Sequence, residues 1–121
     1  MTKCILAVDD SKTMREMVAF TLRGAGYKVV EAVNGVEGLS MLGREKVDCV
    51  ITDVNMPQMD GLTLTRRIRA TAGHAGTPIL VLTTESDQSK KDEGRAAGAT
   101  GWIVKPFSPE KLLQVVAKVC P

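Results

Sequence analysis

The sequence predicts an α/β protein built around a doubly wound, five-stranded parallel β-sheet. Five short apolar runs with many β-branched residues alternate with stretches of helical periodicity, which is typical of consecutive βαβ units. Four of these runs end in a polar or charged group, as expected where buried strands reach solvent at the carboxyl edge of a sheet. At 121 residues, the chain suits one domain over 1–121, and we expect no linker, second domain or output domain.

The strands and helices follow from this alternation in chain order. The predicted strands are 4–8, 27–32, 47–53, 79–82 and 100–104. The five predicted helices are about 12–24, a short one after the turn at 34–35, one after residue 60, about 87–97, and one after residue 108.

Side chains at the starts of three helices support these boundaries. Ser11, Asp60 and Ser108 are of the types that accept hydrogen bonds from the free N–H groups of a first helical turn. The fourth helix has few large apolar residues and contains Gly94, so we expect its packing to contribute little stability.

The order of the strands follows from charge and from the handedness of the crossovers. Lys28 and Glu31 interrupt the second apolar run, which suits an edge strand better than a central one. With right-handed crossovers, the expected order is 2-1-3-4-5, a flavodoxin-like sheet in which the first and third strands are neighbours. Ligands of such sheets bind outside the carboxyl ends of the strands.

Composition narrows the classes of function. A net charge of +2 without a Lys/Arg cluster disfavours nucleic acid as a partner. The sequence shows neither a signal peptide nor an apolar stretch long enough to insert into a membrane, so we expect a cytoplasmic protein. Cys4 and Cys49 lie in strand runs and are predicted core residues, whereas Cys120 is near the end of the chain and is expected to be exposed. His74 is predicted to be a solvated loop residue.

Three carboxylates are predicted to converge at the carboxyl edge of the sheet. Asp9 and Asp10 follow the first strand, and Asp53 ends the third. Two carboxylates about 4 Å apart repel each other by roughly 4 kcal/mol at an effective dielectric constant near 20, so such a cluster holds a proton or recruits a cation. A donor set made only of oxygen favours Mg²⁺ over Mn²⁺. The alternative is that Asp9 and Asp10 merely cap the first helix.

Two further polar groups lie on the same rim. Thr83 follows the fourth strand and Lys105 follows the fifth. An ammonium, a hydroxyl and a metal around a carboxylate suit phosphoryl transfer, with Asp53 as the nucleophile that forms an acyl phosphate. Alternatively, Thr83 only satisfies backbone groups at the end of its strand.

These residues match a known family in order and spacing. The motifs are Asp9-Asp10-Ser11, Asp53, Met56-Pro57-Gln58-Met59-Asp60-Gly61, Thr83 and Lys105-Pro106-Phe107. Over essentially the whole chain, the sequence resembles the receiver domain of two-component response regulators, and among these the single-domain CheY-like chemotaxis regulators.

The resemblance implies a role for each residue of the site. Asp53 is expected to accept a phosphoryl group from the phosphohistidine of a sensor kinase, and Lys105 to contact that group. Asp10, Asp53 and the backbone carbonyl of Asn55 are expected to bind Mg²⁺, with Asp9 helping directly or through water. The Lys105-Pro106 peptide bond is expected to be cis.

The resemblance also implies positions that set the lifetime of the acyl phosphate and a position that moves on phosphorylation. Asn55 and Glu85 match positions at which the family adjusts hydrolysis of the acyl phosphate. Trp102 stands where the family usually has Tyr or Phe, and it would turn inward as Thr83 moves toward the phosphoryl group. The alternative is a Trp that is simply half-buried on an edge strand. We expect the surface formed by the fourth helix, Trp102 and the last helix to bind the partner.

The expected function is a phosphorylation-dependent binding module, which catalyses only its own phosphorylation and dephosphorylation. Its expected partners are a chemotaxis-type histidine kinase, the flagellar motor switch and a phosphatase. One alternative is a phosphorelay shuttle or phosphate sink. Another is a phosphatase of the haloacid-dehalogenase type, but that family needs a second Asp where this chain has Asn55.

Overall fold

The protein forms one parallel sheet with helices on both faces. The computed structural model describes residues 2–84 and 88–121. Its strands are β1 (Cys4–Val8), β2 (Lys28–Ala32), β3 (Cys49–Asp53), β4 (Ile79–Thr83) and β5 (Gly101–Val104). Its helices are α1 (Lys12–Gly24), α2 (Gly35–Arg44), α3 (Gly61–Arg69), α4 (Gln88–Ala97) and α5 (Pro109–Val119). The predicted elements are all present, with boundaries shifted by one or two residues.

The sheet has the predicted order, β2-β1-β3-β4-β5, and every pair of neighbouring strands is parallel. The register aligns Val8 with Thr52, and Asp53 with Leu82. The last residues of β1, β3 and β4 therefore lie side by side at one edge of the sheet. The edge position of β2 is also confirmed, and its Glu31 is neutralised by Arg15 and Arg23 of α1, at 3.3 Å from each.

Each face of the sheet has its own apolar core, because successive side chains of a strand point to opposite faces. One core joins Ile5, Ile51, Leu80 and Ile103 of the sheet to α1 and α5. The other joins Leu6, Val50, Ile79 and Val81 to α2 and α3, with Ala97 from α4. Burial on both faces explains why the strand sequences are continuous apolar runs.

The helix starts are capped as predicted. The side chains of Ser11, Asp60 and Ser108 accept hydrogen bonds from the N–H groups of Met14, Thr63 and Lys111 at 3.3, 2.8 and 3.1 Å.

The start of α2 is capped by Asn34, a residue that the sequence predicts only as part of a turn. Asn34 Oδ1 accepts from Glu37 N at 2.8 Å, and Glu37 Oε1 accepts in return from Val33 N at 3.2 Å. The second bond reaches the residue before the cap, and together the two bonds stabilise the chain where α2 begins.

Two expectations about single residues were wrong. Cys120 is buried, with 6% of its surface exposed, because the residues after α5 stay against the core of α1 and α5. His74 lies in the predicted loop but is half-buried rather than fully solvated, and its Nδ1 lies 2.9 Å from Thr77 Oγ1. The Arg69 guanidinium also holds this loop, donating to the carbonyls of His74 and Thr77 at 3.0 and 2.6 Å.

Among the helices of the described residues, none combines the length and apolar character needed to cross a bilayer.

Candidate functional site

The three predicted carboxylates meet at the carboxyl edge of the sheet. Carboxylate oxygens of Asp9, Asp10 and Asp53 all lie within 4.8 Å of one another. The cause is topological, because β1 and β3 are hydrogen-bonded neighbours and both end at this edge. Asp9 and Asp53 are buried, and Asp10 is exposed. The cluster therefore has a buried floor and one open side.

The backbone N–H and carbonyl of Asp9 are both hydrogen-bonded, whereas only one of its two carboxylate oxygens has a partner among the described residues. Its N–H donates to Ala32 O at 3.1 Å, and its carbonyl accepts from Arg15 Nη1 at 2.9 Å. Oδ1 accepts from Ser11 N at 2.9 Å. Oδ2 is buried and has no hydrogen-bond partner among the described residues.

The electrostatic environment of Asp9 disfavours its charged form. Burial is the main cause that raises the pKa of Asp9, and the charges of Asp53 and Asp10 add to it. The Ser11 N–H group and the charge of Lys105 act in the opposite direction. An isolated carboxylate in this position is unfavourable, whereas one facing a cation is not.

Lys105 reaches Asp53 from the far side of the cluster. Its Nζ lies 2.8 Å from Asp53 Oδ1, and both side chains are mostly buried, at 17% and 11% exposure. The Lys105 N–H donates to Thr83 O at 2.7 Å, which ties the end of β5 to the end of β4. The Lys105-Pro106 peptide bond is cis, as the resemblance implies.

The position of Asp53 depends on Gly61, the last residue of the predicted motif after β3. A Cβ atom at Gly61 would overlap the backbone carbonyl oxygen of Asp53. The Gly61 N–H donates to Val54 O at 2.8 Å, and Val54 N donates to Leu82 O at 3.1 Å. The chain thus turns back against Asp53 before α3 starts. The signal that could have revealed this is a glycine directly after the predicted cap residue Asp60.

Three further residues were predicted to belong to the site, and their positions differ. Thr83 is the buried last residue of β4, one position beyond the partner of Asp53 in the sheet register. Asn55 is exposed in the loop after β3, two residues beyond Asp53. Glu85 lies outside the described residues, so its predicted role stays untested.

A family comparison identifies the chain. Residues 5–117 match the model of the response regulator receiver domain. This chain is a receiver domain.

Chemotaxis proteins of similar length are among the relatives of the receiver domain. It is 40% identical over 117 residues to a chemotaxis protein CheY homologue of Campylobacter jejuni, covering 95% of this chain and 90% of that protein. It is 47% identical to the solved structure of chemotaxis protein CheY4 of Vibrio cholerae, with a TM-score of 0.96 over 98% of this chain and 99% of the other. The chain is a CheY-like receiver domain of two-component signalling.

A second kind of relative is longer. The receiver domain is 43% identical over 109 residues to the response regulator MprA of Mycobacterium leprae. The match covers 90% of this chain but only 47% of MprA. The chain thus spans about half the length of this curated relative.

The acidic cluster of the receiver domain fits a hard divalent cation. Its donors are all oxygen, which suits Mg²⁺ or Mn²⁺ and not a soft metal. The buried Oδ2 of Asp9 has no hydrogen-bond partner among the described residues, so this oxygen is free to act as a metal ligand. Attraction to the three carboxylates favours a cation there, and the cation also offsets their mutual repulsion. Magnesium binding at this position is typical of the family.

Trp102 is half-buried on β5 and packs on the core that includes α4. A Cβ atom at Gly94 of α4 would overlap Cζ3 of the Trp102 ring. The absence of a side chain at Gly94 therefore makes room for the indole. Whether the ring turns on phosphorylation stays a prediction.

Proposed function

We propose that this receiver domain carries a chemotaxis signal by becoming phosphorylated on Asp53. The observation that best supports this is the contact of 2.8 Å between Lys105 Nζ and Asp53 Oδ1, beside two more carboxylates. This arrangement combines a nucleophile, a fixed positive charge and a cation site at one open edge. A phosphohistidine of a chemotaxis-type histidine kinase is the proposed donor.

The proposed reaction is an in-line transfer to a carboxylate oxygen. Asp53 attacks the phosphorus of the phosphohistidine, so that a P–O bond forms as the P–N bond breaks. The electron pair of the broken bond stays on the imidazole nitrogen, which is then protonated by solvent. Lys105 redirects its ammonium from the carboxylate to a phosphoryl oxygen, and the Thr83 hydroxyl donates to another.

Asp9, Asp10, Asp53 and the backbone carbonyl of Asn55 are the groups proposed to hold Mg²⁺, with Mn²⁺ as a substitute. When bound, the ion neutralises the negative charge of the phosphoryl oxygens. The chain's own contribution is to present these groups from segments that the sheet keeps together.

We propose no turnover of other substrates. The only reactions assigned to the chain are its own phosphorylation and dephosphorylation, with Asn55 and Glu85 tuning the lifetime of the acyl phosphate. Asn55 stands where a phosphatase of the haloacid-dehalogenase type needs an acid–base Asp. Hydrolysis of a small phosphoester with turnover by the purified protein would revive that alternative.

The proposed output is binding to the flagellar motor switch in the cytoplasm. The likeness to chemotaxis proteins supports this choice, and α4, Trp102 and α5 form the proposed surface. Shifting a two-state population from 1:99 to 99:1 takes about 5.5 kcal/mol. Charge-assisted hydrogen bonds contribute about 1.5–3 kcal/mol each, so two or three new bonds to the phosphoryl group suffice.

Intact-protein mass spectrometry tests the site. Wild type incubated with Mg²⁺ and acetyl phosphate should gain one phosphoryl group, and Asp53→Asn should gain none. Asp60→Asn is the matched control, because it removes a nearby carboxylate while Asn still caps α3. Labelling that persists in Asp53→Asn would remove the assignment.

A binding assay tests the output. The isolated motor switch protein should bind the receiver domain more tightly when an acyl-phosphate mimic is present. Unchanged binding, together with return of the phosphoryl group to a histidine phosphotransfer protein, would favour a shuttle or phosphate sink. The same preparation shows whether an added phosphatase shortens the lifetime of the phosphorylated form.

A further inference from the structure

A groove runs between α2 and α3, separate from the acidic site and from the Trp102 surface. It has a volume of about 670 Å³, and its lining residues are Leu39, Thr63, Arg66, Arg67, Ala70 and Thr71. Thr63 and Ala70 are seven residues apart, so they share one face of the helical turn. Because both are short and Leu39 stands opposite, the two helices leave a gap with an apolar floor.

The charge at this groove is positive and uncompensated. Arg66 and Arg67 are exposed, and neither has an ion pair within the described ranges 2–84 and 88–121. The segment 61–84 contains no Asp or Glu at all. The neighbouring acids are engaged, since Asp60 caps α3 and Glu37 accepts from Val33 N.

Arg69, on the same helix, differs because its guanidinium is hydrogen-bonded within the protein. Its guanidinium donates to Gly98 O, His74 O and Thr77 O at 3.0, 3.0 and 2.6 Å. Arg66 and Arg67 make no such bonds among the described residues. Their guanidinium groups are available to a ligand.

We propose that this groove docks an acidic segment of a partner protein. An apolar side chain of that segment would rest on Leu39, while its carboxylates pair with Arg66 and Arg67. The planar guanidinium presents two parallel N–H groups that match a carboxylate, and the floor rewards an apolar anchor. The proposal is independent of the proposed function, because no residue of the groove belongs to the phosphorylation site.

The charge and size of the groove disfavour three other occupants. Nucleic-acid binding usually neutralises many phosphates, and two arginines are too few. Recruitment to an anionic membrane typically needs clusters of four to eight basic residues. A symmetric contact with a second copy whose two-fold axis passes through the groove would bring the arginines of both chains close together, which is repulsive.

Selection from a random-peptide display library provides the test. Wild type is the bait, and Arg66→Glu/Arg67→Glu is the counter-selection. Lys3→Glu/Lys46→Glu is the matched control, because it changes the net charge by the same amount at exposed positions outside the groove, the acidic site and the proposed output surface. Arg66→Gln/Arg67→Gln removes the charges without placing acids at the end of α3, where they oppose the helix dipole.

The expected peptides contain acidic residues beside an apolar one. As synthetic peptides they should bind wild type and the Lys3→Glu/Lys46→Glu control equally, and both arginine variants about tenfold or more weakly. Amide NMR shifts should change at Leu39, Thr63 and Ala70.

Several results would overturn the proposal. These are a selection without enriched peptides, enriched peptides that lack acids, equal weakening in the Lys3→Glu/Lys46→Glu control, or shifts confined to other surfaces. Sedimentation with phosphatidylglycerol vesicles, or self-association of the protein, would also overturn it if the arginine variants abolish that behaviour and no peptide binds.

Discussion

At the scale of single residues, the carboxylates of the site repel one another, and a bound cation would offset this repulsion. The buried Oδ2 of Asp9 has no hydrogen-bond partner among the described residues, and the Asp9 carboxylate lies close to those of Asp53 and Asp10. Lys105 compensates Asp53 from one side only. Binding a divalent ion therefore offsets a cost that is already built into the folded chain.

Replacing Asp9 by Asn should stabilise the ion-free protein. We expect the free energy of unfolding to rise by about 1 kcal/mol, since one buried charge and its repulsion are removed. Urea unfolding in EDTA measures this, with Asp60→Asn as the control. Adding excess Mg²⁺ should then stabilise wild type more than Asp9→Asn, because ligand binding to the folded state adds to its stability. A variant less stable than wild type in EDTA would contradict this account.

Gly61 sets the position of Asp53 by close approach. Gly61→Ala should lower the free energy of unfolding by about 1–3 kcal/mol, because the new Cβ displaces the Asp53 carbonyl. It should also slow labelling by acetyl phosphate. Gly43→Ala is the matched control, since a Cβ there meets nothing within 4 Å and should stabilise α2 by about 0.5–1 kcal/mol. Unaltered stability and labelling in Gly61→Ala would show that the backbone adjusts freely.

At the scale of elements, α4 is the helix whose described residues include no large apolar side chain to pack into the core. Of its described side chains, Ala97 is the buried one, and Gly94 is covered by Trp102. The helix therefore rests on β5 largely through one aromatic ring. This makes the contact between α4 and β5 sensitive to the size of residue 94.

Gly94→Ala tests that contact. The chain contains a single Trp, so its fluorescence reports on residue 102 alone. We expect a shift of the emission to longer wavelength and stronger quenching by acrylamide, because a methyl group overlaps the ring and drives it or the helix outward. Ala96→Gly, at an exposed position of α4, should leave the emission unchanged. Identical spectra for wild type and Gly94→Ala would refute a close contact.

At the scale of the whole molecule, several acidic groups are buried in their neutral form. Burial raises the pKa of Cys49 to about 12. Burial also raises the pKa values of Cys4, Cys120 and Tyr27. The folded protein thus holds protons that the unfolded chain releases in alkaline solution.

Stability should accordingly fall as the pH rises above about 8.5, the ordinary pKa of a thiol. Below that pH both states are protonated and the contribution is fully present. Above it the unfolded chain binds fewer protons, and each group adds a slope of up to about 1.4 kcal/mol per pH unit. Urea unfolding from neutral to about pH 10 measures the slope. Cys49→Ala should have a shallower slope, and a flat profile in wild type would contradict the burial.

Much of this architecture follows from sequence, for identifiable reasons. Apolar runs on two-sided strands and side-chain caps are local signals, so the elements and their order could be predicted. The acidic cluster followed from the rule that parallel strands end at one edge. Cys120, Arg69 and the pairing of Gly94 with Trp102 could not be predicted in this way, because each depends on a contact between distant segments. Their surroundings exist only once α5, the loops and β5 are in place.

The order in which the acidic edge is assembled has a consequence for synthesis. Asp9, Asp10 and Asp53 are synthesised before β5, and Lys105 directly follows that strand. A nascent chain therefore lacks the positive counterpart of Asp53 until the fifth strand and Lys105 have been made. Shorter nascent chains should hold the three carboxylates without this counterpart, and their Asp53 should not be ready for phosphorylation.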